Sequence, residues 1–79
     1  MEVALDRLPA GIPAVVVSIR CQSELNARLR DFGFVPGTCV CIRYRSPDRG
    51  VVAVEFRSTV IALRTKDLKG VRVKWECRR

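Results

Sequence analysis

The chain has 79 residues, room for one domain spanning 1–79 and not two. Its 15 Lys and Arg outweigh 8 Asp and Glu for a net charge of +7, and it has no His, the side chain that most often does acid–base work near neutrality. No apolar run reaches the ~18 residues of a membrane span, and Met1 to Asp6 carries two acids and no basic leader, so a soluble cytoplasmic protein is expected.

Leu5 and Leu8 precede Pro9-Ala10-Gly11 and read as a helical turn or extended lead-in that ends in a turn. Ala14 to Ile19 is rich in β-branched residues, and Val15, Val17 and Ile19 alternate onto one face, which predicts a strand. Ser23 is placed to cap a helix, with Glu24 in the first turn. Leu25, Leu29 and Phe32 then form one apolar stripe. Gly33 suits the positive φ of a helix C-terminus, and Val35-Pro36-Gly37-Thr38 reads as a type II turn with Gly37 at the position that needs positive φ.

Thr38 to Arg45 alternates, with Val40, Ile42 and Tyr44 expected in the core and Cys39, Cys41, Arg43 and Arg45 outside. Ser46 to Gly50 is a turn, and Val51 to Arg57 alternates again with Val52, Val54 and Phe56 inward, so the two segments should form an antiparallel hairpin. Ser58-Thr59 marks a tight turn before Val60 to Arg64. Thr65 can cap a single helical turn closed by Gly70, and Val71 to Glu76 is the last strand, with Val71, Val73 and Trp75 inward.

About five short strands with tight turns predict a mainly β fold, an antiparallel sheet curled into a small barrel that leaves no open edge. One short α-helix follows the first strand, and a one-turn helix precedes the last. An enzyme is hard to build from this chain. The carboxylates are dispersed, each Gly is explained by a turn or cap, and no base stands by to activate a Cys. The basic residues are scattered, and the phase of Tyr44, Phe56 and Trp75 puts them in the core and not among the outward Arg residues, so no nucleic-acid partner is expected.

Cys21, Cys39, Cys41 and Cys77 are expected as reduced thiols, because nothing suggests secretion. Cys39 and Cys41 share one face of a strand, roughly 7 Å apart. Two outward thiolates can supply half of a tetrahedral Zn2+ site, or hold Fe2+, with a second chain completing the shell as a homodimer. Small free Cys residues more often simply pack as hydrophobes, and no cofactor is required. Cys21 and Cys77 are given no role.

Leu29 to Thr38, followed by Val40, resembles the signature of the FeoA family, the small ferrous-iron transport protein A. Ser46-Pro47, Val60 to Arg64 with Asp67, and Gly11 with Val15 to Ile19 match further blocks in order and spacing, so the resemblance covers about residues 5 to 75. The chain departs from the pattern at Arg57-Ser58, where the family often has Arg-Gly, at Lys66-Asp67-Leu68, and at Cys39-Val40-Cys41. Its excess of positive charge is not a family requirement either.

The resemblance implies an SH3-like barrel and a non-enzymatic accessory role in bacterial ferrous-iron (Fe2+) uptake. Such a protein acts in the cytoplasm, at the inner face of the membrane, on the FeoB permease with its GTP-binding domain. The same barrel also occurs as the C-terminal domain of iron-dependent repressors. A metal-binding regulator related to that domain, with Cys39 and Cys41 as ligands, and, from the net charge of +7, a basic nucleic-acid-binding barrel are the alternative readings. SH3-like barrels bind peptide segments between loops, which nominates the helix residues Arg28 and Arg30, the corner Phe34, Val35 and Pro36, and the hairpin tip Pro47, Asp48 and Arg49 as the partner surface.

Overall fold

The computed structural model describes residues 2–75. Cys77 and the end of the strand expected to run to Glu76 lie outside them. The strands are β1 (Glu2–Ala4), β2 (Ala14–Ile19), β3 (Cys39–Arg45), β4 (Val51–Phe56), β5 (Thr59–Arg64) and β6 (Val71–Lys74). The helices are α1 (Ser23–Asp31) and α2 (Thr65–Leu68), with a single 3-10 turn at Leu5–Arg7. All the pairings are antiparallel, in the order β1-β6-β2-β3-β4-β5.

The mainly β expectation holds, with one strand more than expected. β1 is three residues long and exists by pairing with β6, Val3 opposite Val73. Nothing local in Glu2-Val3-Ala4 specifies that distant partner. The 3-10 turn after it plants Leu5 and Leu8, both fully buried, into the core. There they join Val40, Ile42, Val52, Val54, Val71 and Val73 from the concave side of the sheet. Phe34 and Phe56 meet edge to face, centroids 5.1 Å apart at 84°, a favoured aromatic arrangement.

Several inward assignments are corrected. In β3 the register with β4 slips between Ile42 and Tyr44. The extra residue, Arg43, reverses the side-chain phase, so Tyr44 is 59% exposed. Arg45 turns inward, and its Nη2 donates to the Leu8 carbonyl. In β2 a similar slip lies between Val16 and Ser18, and the buried residues are Ala14 and Val16, with Val15 and Val17 half-buried. Trp75 follows the end of β6 and is 46% exposed. Phe32 caps α1 instead of continuing its stripe and is also exposed.

The expected side-chain caps are absent too. Gln22, not Ser23, precedes α1, and the Thr65 hydroxyl donates to the Arg49 carbonyl instead of capping α2. Among the described residues β1 and β5 are the two ends of the hydrogen-bonded strand order.

Candidate functional site

The corner between α1 and β3 organises the surface. α1 ends with Phe34 N–H donating to Leu29 O at 2.8 Å and Gly33 N–H to Arg30 O at 3.0 Å, the two bonds of a Schellman cap. Gly33 takes φ +89. The next turn closes as expected, Thr38 N–H donating to Val35 O at 3.0 Å, with Gly37 at φ +94. The Thr38 side chain, only 5% exposed, joins the two turns: its hydroxyl donates to Gly33 O at 3.1 Å and accepts from Val35 N–H at 3.3 Å. Two backbone bonds pin the corner to β2, Gly37 N–H to Val16 O at 2.8 Å and Val16 N–H to Thr38 O at 2.9 Å.

Two grooves flank this corner. The larger, about 770 Å³, runs between the corner, the start of β3 and the β4–β5 turn, with Thr38, Cys39, Cys41, Arg43, Glu55 and Arg57 among its walls. Arg43 Nε lies 2.9 Å from Glu55 Oε1, so the groove's carboxylate is already engaged. Arg57 packs over Gly33 and adds a second cation to the groove. The β4–β5 turn keeps its tight shape without glycine, with Arg57 at φ 51 and Ser58 at φ 63. The smaller groove, about 160 Å³, is lined by Ile19, Asn26, Arg30, Phe34, Val35 and Pro36.

The residues nominated from sequence are therefore only partly brought together. Arg30, Val35 and Pro36 share the smaller groove, with Phe34 forming its floor. Phe34 itself is corrected from a surface contact to a core residue, fully buried against Phe56. Arg28 is exposed on α1 outside that lining. Pro47, Asp48 and Arg49 sit beyond the other end of β3, about 20 Å from the corner at ~3.3 Å per strand residue. They belong to a separate, self-contained turn. Asp48 accepts from Ser46 Oγ at 2.6 Å and from Gly50 N–H at 2.9 Å, and these bonds hold its carboxyl below the usual range. Sequence reasoning missed Ile19, Asn26, Arg57 and Ser58. The departure at Arg57-Ser58 was the one signal that marked any of them.

Cys39 is disulfide-bonded, and Cys21 and Cys41 are free thiols. This corrects the expectation of reduced thiols at Cys39, which rested on cellular compartment and not on geometry. A disulfide sulfur is not a thiolate ligand, and Arg43 and Arg57 repel a cation. The pair of thiolates expected at Cys39 and Cys41 is therefore not present, and no group of three or more His, Cys, Asp or Glu gathers among the described residues. Cys21, outside both grooves, donates to the Asp67 carbonyl at 3.5 Å. Burial, and then the charge of Asp67, push its thiol pKa up. With Tyr44 and Trp75 exposed, the objection to a nucleic-acid face that rested on inward aromatics no longer applies to them.

The FeoA domain model matches residues 3–74. Among solved structures, the chain is similar to the zinc complex of Stenotrophomonas maltophilia FeoA, with 33% identity, TM-score 0.76 and coverage of 94% of this chain and 89% of that one. That protein is described as a prokaryotic SH3 domain protein and a candidate activating factor of ferrous iron transport. The Chlorobium tepidum FeoA protein matches with TM-score 0.90 at 24% identity, over 95% of this chain and 71% of that one. A manganese-dependent transcriptional repressor shares the fold at TM-score 0.84 and 14% identity, over 95% of this chain and 42% of that one. No curated protein matches. The fold is SH3-like, and from the match over residues 3–74 the chain belongs to the FeoA domain family.

Proposed function

We propose that this chain is a non-enzymatic accessory of ferrous-iron uptake that docks on the cytoplasmic part of a FeoB-type permease. The observation that carries the reading is the family match over residues 3–74. The description of the S. maltophilia relative points the same way. The geometry supports docking over chemistry. The one carboxylate in the larger groove, Glu55, is held by Arg43 at 2.9 Å, and the smaller groove holds only Asn26 and Arg30 among apolar groups, so neither pairs a nucleophile with an available base. A rigid corner carrying Arg30 on one side and Arg57 on the other can meet an acidic face of the permease and speed encounter.

On this reading the protein works in the cytoplasm and reaches the membrane through its partner. No helix among the described residues is long and apolar enough to cross a membrane. Fe2+ is cargo of the permease and not a resident cofactor of this chain. Uptake of radiolabelled Fe2+ by cells lacking the gene, with and without restoration, tests the role. The reading requires slower uptake in the deleted strain and recovery on restoration; equal uptake in both strains would refute it.

A further inference from the structure

β5 is an edge strand whose outer side has no partner among the described residues. Its ladder with β4 runs unbroken from Phe56 opposite Thr59 to Val51 opposite Arg64. In an antiparallel ladder, hydrogen-bonded and non-hydrogen-bonded pairs alternate. A two-residue turn is closed by a hydrogen-bonded pair, here Phe56 and Thr59. The pairs of Val60, Ala62 and Arg64 are then the non-bonded ones, and their N–H and C=O groups point away from β4. Two observations fix this phase independently. Thr65 N–H donates to Gly50 O at 3.0 Å, and Ser46 N–H donates to Val51 O at 2.9 Å, away from β5.

Edge strands are commonly blunted by shortness, Pro, bulges or inward charges. β1, the other edge, is three residues long, and its Glu2 lies 3.8 Å from Arg72. β5 has six residues and no Pro, Gly or bulge. Val60, Ala62 and Arg64 also present their side chains outward; all three are exposed, Val60 at 56%.

Charge identifies the occupant. Arg64 ends the strand, Lys66 follows in α2, and Arg49 is joined to Thr65 through its carbonyl. The neighbouring carboxylates of the strand ends are engaged, Asp48 by Ser46 and Gly50 and Glu55 by Arg43, and the Asp67 charge acts on the Cys21 thiol. A second copy of a chain with net charge +7 is a poor match for this edge.

We propose that the β5 edge binds an extended segment of a partner protein by strand addition, an apolar β-strand carrying acidic residues at the end that lies beside Arg64. Backbone bonds to Val60, Ala62 and Arg64 supply the affinity, and the cations select the segment and its direction. This surface does not depend on which protein supplies the segment, so it can fail while the role in iron uptake stands.

The test titrates the isotope-labelled protein with a synthetic alternating valine–threonine peptide bearing two glutamates at one end. A lysine-ended copy is the control. The expected result is at least tenfold tighter binding of the glutamate peptide, with shifts and slowed hydrogen exchange at the amides of Val60, Ala62 and Arg64. Ala62→Pro should abolish binding while the fold holds, because that N–H faces solvent. Arg64→Glu with Lys66→Glu should reverse the preference between the peptides without touching the backbone. Equal affinity for both peptides, binding that perturbs the larger groove instead, no binding, or concentration-dependent self-association through β5 would each overturn the proposal.

Discussion

The Thr38 hydroxyl donates to the Gly33 carbonyl at 3.1 Å, tying the end of α1 to the first residue before β3. Because Thr38 is 5% exposed, water cannot readily replace the bond. Thr38→Val keeps the shape and removes the hydroxyl, leaving Gly33 O and Val35 N–H short of a partner. The expected loss is about 1–3 kcal/mol, read from urea unfolding as a lower midpoint with unchanged slope.

Gly70 and Gly11 should respond differently to Ala. A Cβ at Gly70 would lie 2.1 Å from the Arg20 carbonyl oxygen, while Arg20 N–H donates to Gly70 O at 2.7 Å. The backbone must therefore move, at a cost of about 2 kcal/mol or more. Gly11, at φ +85, has open space around it, so Gly11→Ala bears only the left-handed backbone cost of about 1–2 kcal/mol. Paired melting curves should rank Gly70→Ala as the less stable variant.

Ser58 takes φ 63 in the β4–β5 turn, a conformation that Gly adopts without the Cβ penalty. Ser58→Gly should stabilise the fold by about 0.5–1 kcal/mol, the relief of left-handed strain less the added freedom of the unfolded chain. A melting temperature that falls would show that the Ser side chain does more than occupy the turn.

Much of the corner was legible in the sequence, because the Pro36 ring sets its own φ and Gly33 and Gly37 take positive φ without a Cβ clash. Val52, Val54 and Phe56 were legible for a similar reason, as unbroken alternation. Tyr44 was not, since one inserted residue at Arg43 inverts every assignment after it, and alternation carries no mark of a bulge. β1 depends on β6, some 70 residues away along the chain, and no short window contains that pairing. Phe34 was misplaced because a residue after a helix cap can face in or out. What buries it is Phe56, on another strand. Arg57 entered the site through the β4–β5 turn, whose approach to Gly33 is a tertiary fact.

The Cys21 thiol is held above its ordinary pKa first by burial and then by Asp67. At mildly alkaline pH it should alkylate more slowly in the folded protein than in urea. Folding favours the neutral thiol, so this stabilisation is complete below the unfolded pKa and is lost as pH rises through the folded one. Cys21→Ala should flatten the alkaline fall in stability.

Asp48 shows the opposite sign. Bonds from Ser46 and Gly50 N–H lower its pKa, so the Ser46–Gly50 turn is firm above the ordinary carboxylate range and loosens as pH falls through the depressed value. The Gly50 amide shift, followed by NMR, should move with that titration, and Asp48→Asn should abolish the movement.

The most direct measurement is calorimetric titration of the purified protein into the cytoplasmic part of the FeoB-type permease from the same cell, with and without guanine nucleotide and Fe2+. The account predicts saturable binding that weakens with salt and with Arg30→Glu or Arg57→Glu, each variant first checked for its fold by circular dichroism. Absence of binding in every nucleotide state by the folded protein would contradict docking on the permease.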